Sequence, residues 1–243
     1  MKPILPVLLI LSLAACRDPD AERRQQEAAA AQAQARREAD AEGIGKLYDA
    51  AVTATDWEKA KIHGAALLDQ FPESEAAGRI EPGFAEVRGK AEAAREQRRL
   101  QGLWHYNQVA AQGGTQRSAA IYSKDPVDVD GSGPRPVQLV FRDHPEWKRH
   151  AYLVLPAGDF ARTCYRRCQV SVAVDGQAAR PMAAYRPDTD EAIAMFITDN
   201  RGLWRQASKA GSIEIGFPVK AGGERRAVFE VGGLDGGQMP GWD

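Results

Sequence analysis

Val137-Gln138-Leu139-Val140-Phe141-Arg142-Asp143-His144-Pro145-Glu146-Trp147-Lys148-Arg149-His150-Ala151-Tyr152-Leu153-Val154-Leu155 holds two runs of alternation around a polar break. Val137, Leu139 and Phe141 recur at every second position, and Ala151, Leu153 and Leu155 do so again. A period of two places each set on one face of a strand. Between the runs, Arg142 to His150 has the charge and the proline of an exposed hairpin loop.

Outward from this pair the same period continues. Trp104/Tyr106 precede it, and Val170/Val172/Val174, Ile193/Met195/Ile197, Ile213/Ile215/Phe217 and Ala227/Phe229/Val231 follow. Turn residues punctuate the gaps, as in Asp130-Gly131-Ser132-Gly133-Pro134, Asp175-Gly176 and Ala221-Gly222-Gly223. Seven or eight short strands so spaced predict an antiparallel sandwich or open barrel over residues 103–234, with a tail at 235–243. One helix is expected inside it, over Asn200 to Ala210.

Upstream the period changes. Over residues 43–101, Ile44, Leu47, Ala51 and Ala54 fall at helical spacing, as do Trp57, Ala60, Gly64, Leu67, Leu68 and Phe71. Asp56 is placed to cap the second helix and Pro72 to end it. Ala60 and Gly64, four apart and small, let another helix approach closely. A third helix carries Phe84, Val87, Ala91 and Ala94 and is expected to break near Glu81-Pro82-Gly83. This segment reads as a small helical hairpin, so the fold class is α+β: helices first, then an antiparallel β-sandwich. After Cys16, and apart from Pro19, residues 16–42 are Ala, Gln, Glu, Asp and Arg without a large apolar side chain. Their two readings are a solvated helical spacer and a low-complexity linker.

Residues 1–15 have the parts of an export signal: Lys2, an apolar run from Ile4 to Leu13, then small residues. Leu13-Ala14-Ala15-Cys16 resembles the bacterial lipobox, which implies cleavage before Cys16 and lipidation of its thiol. Arg17 stands where an aspartate would favour inner-membrane retention. That sorting pattern implies an outer-membrane anchor facing the periplasm, with the inner membrane as the alternative. Lipidation of Cys16 leaves Cys164 and Cys168, an even remainder in an oxidising compartment, which suggests a disulfide closing a short loop. The other reading of a C-x3-C spacing is half a metal site, and no second half accompanies it.

Two further resemblances concern the folded parts. Tyr48, Ala60 and Leu67-Leu68-Asp69-Gln70-Phe71-Pro72-Glu73-Ser74 resemble one tetratricopeptide-type hairpin. In the C-terminal half, Trp104, Ala120-Ile121-Tyr122-Ser123, Val137 to Arg142, Cys168 with Val170 to Gly176, and Phe229 to Leu234 carry a second resemblance. They are similar to the periplasmic β-domain of VasI/TagO-type secretion accessory proteins and of the invasion-associated-locus-B group. That resemblance implies an envelope accessory protein and supplies no catalytic residue.

The chain has 243 residues with 32 basic and 33 acidic side chains, a net charge of −1, and 44% hydrophobic residues. That balance argues against disorder and against a basic nucleic-acid binder. His63, His105, His144 and His150 show no metal-binding spacing, and Asp128 to Gly133 fails as a calcium loop. There is no nucleophile elbow or phosphate loop, and Asp188, Asp190 and Glu191 read as solvated charge. No cofactor, metal or catalytic residue is expected. The candidate partner-binding residues are Trp147, Arg142, Lys148, Arg149 and His144: an aromatic among cations on a proline-stiffened loop. The competing reading has Trp147 folded back over the hairpin. Tyr165-Arg166-Arg167 in the disulfide loop either extends that surface or lies at the other end. The function expected is non-catalytic binding or scaffolding with a protein partner in the envelope. An inhibitor or immunity protein is the alternative, and a hydrolase of wall polymers fits the residues least.

Overall fold

The computed structural model describes residues 19–187 and 193–242. They divide into two compact units, with the boundary between Glu92 and Ala93.

The first unit is helical: α1 (Pro19–Thr53), α2 (Trp57–Gln70) and most of α3 (Glu75–Gln101). Of the two readings of the polar stretch, the helix is the one adopted from Pro19 onward. Its first half is exposed, and burial begins at Ala41 and continues through Gly45, Tyr48 and Ala51. The Asp56 side chain accepts from the Lys59 amide at 3.2 Å, the N-cap anticipated for α2. A Cβ on Gly64 would collide with the Phe84 ring and press on Tyr48, so the small residue there admits the neighbouring helices. Ala60, Leu67, Ala76, Ala77 and Ile80 complete a core built mainly from alanine.

The expected break at Pro82 does not occur, and α3 runs through it. Proline removes one backbone hydrogen bond, to the carbonyl of Gly78, and crowds that carbonyl. Ala76, Ala77 and Ile80 are buried before it, and Val87 and Ala91 after it. Packing on both sides holds the helix together across the defect.

The second unit is β-rich. Its strands are β1 (Trp104–Ala111), β2 (Gly114–Tyr122), β3 (Gln138–His144), β4 (Lys148–Val154), β5 (Cys168–Val174), β6 (Arg180–Tyr185), β7 (Ala194–Ile197), β8 (Ile213–Pro218) and β9 (Glu224–Phe229). They form one antiparallel sheet in the order β1-β2-β3-β4-β7-β6-β5-β8-β9. The sheet folds back on itself into the two layers of the sandwich. The amide of Lys124, just after β2, donates to the carbonyl of Val228 in β9 at 2.7 Å. Glu230 beyond β9 pairs with Arg99 at 2.9 Å and with Lys124 at 3.7 Å.

One core fills the interior. The inward positions of the alternating sets, including Leu139, Phe141, Leu153, Met195, Ile197, Ile215, Phe217 and Phe229, are fully buried. The helix α4 (Asn200–Ala207), capped by Asp199, adds Leu203 and Trp204. Residues 235–243 were expected as a tail. Instead Met239 and Trp242 lie in this core, with Trp242 5.0 Å from Trp204 and 5.5 Å from Phe141 between ring centres.

Candidate functional site

The residues chosen from sequence lie on the β3–β4 hairpin, but its loop is shorter than expected. Arg142 pairs with His150, Asp143 with Arg149 and His144 with Lys148 across the two strands. Only Pro145-Glu146-Trp147 remain as turn, because charged residues at the end of a rolled sheet can stay in the ladder and still reach water. Lys148 closes the turn with φ at +65°, the left-handed residue that a three-residue hairpin connection requires.

His144 organises this turn. It is 7% exposed, and its Nδ1 accepts from the amides of Glu146 and Trp147 at 3.1 and 3.2 Å. Nδ1 must therefore carry a lone pair, which leaves any ring proton on Nε2. Trp147 lies parallel to the His144 ring, 4.0 Å away at an interplanar angle of 13°. Trp147 folds back onto the hairpin on one face, as the competing reading has it, yet stays 54% exposed.

Arg142 stands two residues before His144 on the same outward face. Its guanidinium carbon lies 5.3 Å from the centre of the Trp147 ring and 5.4 Å from that of Tyr152. Among the described residues it has no carboxylate partner, and its buried Nε has no acceptor. Arg149 points to the opposite face, where Nε bonds Asp143 at 3.1 Å beside Lys148, Asn200 and Arg201. So Arg142, His144 and Trp147 converge, Lys148 sits at the rim, and Arg149 belongs to a separate shallow cleft.

Beyond these residues the outward face continues as a row of rings that the sequence reading missed. Tyr152 on β4 meets Phe196 on β7 at 5.0 Å, and Phe196 meets Tyr185 on β6 at 5.5 Å. His150 approaches Phe196 edge-on at 5.3 Å. Burial raises the pKa of Tyr152, with Arg142 pulling the other way. Burial first, and then Arg142, push His150 below the usual histidine value, partly opposed by the Lys148 carbonyl. Tyr152 and Phe196 occupy the out-of-phase positions of otherwise apolar strands. Aromatics where polar residues are the rule are the signal that could have found them.

Cys164 and Cys168 form the expected disulfide, with Cα atoms 4.7 Å apart. The strand register runs from Cys168 to Ala184, then Ile197, Ala151 and Phe141. The loop preceding Cys168 thus departs from mid-strand away from the 145–147 turn, and Tyr165 does not extend the Trp147 surface. Its ring instead receives Arg186, 4.5 Å away, whose Nε also bonds Asp159 at 2.7 Å. The segment Asp128 to Gly133 is a turn, in which Asp128 and Asp130 accept from the amides of Gly131 and Ser132. Among the described residues no three metal-ligating side chains converge, and no helix is long and apolar enough to cross a membrane. Cys16 and the Asp188, Asp190 and Glu191 cluster lie outside the described residues.

No family model and no curated protein matches the chain. Among solved structures it is similar to invasion associated protein B from Bartonella henselae, at 15% identity and a TM-score of 0.34. That likeness covers 54% of this chain and 84% of the other. A superposition that loose bears on neither activity nor partner.

Proposed function

We propose that this chain is a lipid-anchored protein of the bacterial outer membrane, facing the periplasm, that acts by binding a protein partner rather than by catalysis. The anchor reading rests on Lys2, the apolar run and Leu13-Ala14-Ala15-Cys16. The binding reading rests on Trp147: a half-exposed indole, fixed by a turn that His144 organises, beside a guanidinium with no counter-ion among the described residues. Aromatic and arginine side chains dominate contact energies, and truncating a true anchor costs about 2 kcal/mol or more. A tryptophan without a partner changes stability by only about 0.5 kcal/mol.

The test is to compare Trp147→Ala and Cys16→Ala with the parent protein in cells. Cys16→Ala is expected to leave the membrane fraction or to stay unprocessed. Trp147→Ala is expected to lose its captured partner from envelope extract while the melting temperature moves by a few degrees at most. A large fall in melting temperature, or capture that does not change, would mean that the indole only covers the hairpin.

A further inference from the structure

The outward face of β3, β4, β7 and β6 differs in chemistry from the chain as a whole. The chain has as many acids as bases to within one residue. Yet the outward strand positions here, those alternating with the buried ones, carry Arg142 and Lys148 and no carboxylate. The nearby acid, Glu146, is exposed on the turn. Arg142 is held between two rings, so its orientation is fixed before any ligand arrives, and it has no counter-ion among the described residues. A cation so placed favours an anion that can take up its N–H groups.

The rings indicate what else the ligand must offer. Phe196 is close to parallel with Tyr185 (18°) and inclined by 32° to Tyr152, at 5.5 and 5.0 Å. Rings that close and that nearly parallel turn their faces toward one another, so they offer solvent a ribbed apolar edge rather than flat platforms. Sugar rings stack on open faces, and Phe196, at the middle of the row, has both faces taken up by Tyr152 and Tyr185. Side chains of a peptide fit between ribs, and Tyr, Trp and Arg are the residues enriched at the centres of protein contacts. From β3 to β6 the row crosses three strand spacings, about 14 Å, which roughly four residues of extended peptide would span.

We infer that this face binds an extended acidic peptide segment of the partner, with a carboxylate on Arg142 against Trp147 and an apolar side chain on the Tyr152–Phe196–Tyr185 row. This rests on the partner-surface reading above and names the partner's chemistry.

The experiment titrates the detergent-solubilised full chain with three probes. These are a blocked peptide of alternating glutamate and leucine, its glutamine counterpart, and polygalacturonate. The acidic peptide is expected to bind, at least about tenfold more tightly than the glutamine peptide, with affinity falling as salt rises. Arg142→Gln should lower that affinity at least about tenfold, and the exposed Lys148→Glu should lower it with the melting temperature unchanged. Tyr185→Ala, at the far end of the row, should weaken it too. Equal binding of the neutral peptide, no binding of the acidic peptide, or an unaltered affinity in Arg142→Gln overturns the inference. Binding of polygalacturonate alone also overturns it, in favour of an acidic glycan. If the peptide fails while Trp147→Ala still abolishes partner capture, the chemistry assigned here is wrong and the partner surface stands. If Trp147→Ala also has no effect, both fall.

Discussion

His150 sits across the ladder from Arg142 and edge-on to Phe196, so its proton reports on the outward face. Burial and the guanidinium hold its pKa below 6.5 in the folded chain, against the pull of the Lys148 carbonyl. The unfolded chain takes up the proton near 6.5, before the folded chain does. Protons therefore favour unfolding across that interval. The stability contributed by neutral His150 is complete above about pH 6.5 and is lost as pH falls through the folded value. The melting temperature should decline over that range, and His150→Phe should flatten this part of the profile. A profile unchanged by the substitution would show that the imidazole does not titrate as its surroundings dictate.

At the scale of elements, the end of α1 shows how a cap can carry strain. Thr55 has φ at +55°, and the amide of Asp56 reaches back to the carbonyl of Ala51 at 2.9 Å, the closing bond of a left-handed helix end. Glycine is the usual residue there, and a β-branched side chain is disfavoured by about 1–2 kcal/mol. Thr55→Gly is expected to stabilise the helical unit by about 1 kcal/mol in denaturant unfolding, and a loss of stability would contradict this. Such details escape a reading by period, whereas the strong elements do not. The sets at Val137, Ala151, Val170, Ile193, Ile213 and Ala227 all became strands, since each buries several large side chains. Two strands were not visible in the pattern. β2 buries only Ala119 and Ile121, and β6 only Ala184 behind Pro181, so neither shows much contrast between its faces. The site was legible to a similar degree. Trp147, Arg142 and His144 stood out by composition, but Tyr152, Phe196 and Tyr185 come together only through the β4-β7-β6 order, which no local pattern encodes.

At the scale of the whole β-unit, the core depends on residues that looked dispensable. Trp242 is buried against Phe141 and Trp204, so Trp242→Ala should cost about 3–5 kcal/mol and lower the melting temperature of this unit sharply. A shift below about 1 kcal/mol would mean that the segment packs loosely in solution. Within this unit, the packing of residues 100–101 is as restrictive, because a Cβ on Gly233 would run into the backbone of Leu100 and Gln101. The bond from Lys124 to Val228 also bears on timing. It joins a segment made early to a strand made late, and contacts of such long range slow folding. A chain emerging end-first, from a ribosome or through a membrane pore, cannot close the roll before β9 is out. Until then β2 to β8 expose half-covered apolar faces, the condition in which chains aggregate or recruit chaperones. For this architecture the sheet of the β-unit closes as a late event, after its last strand is available.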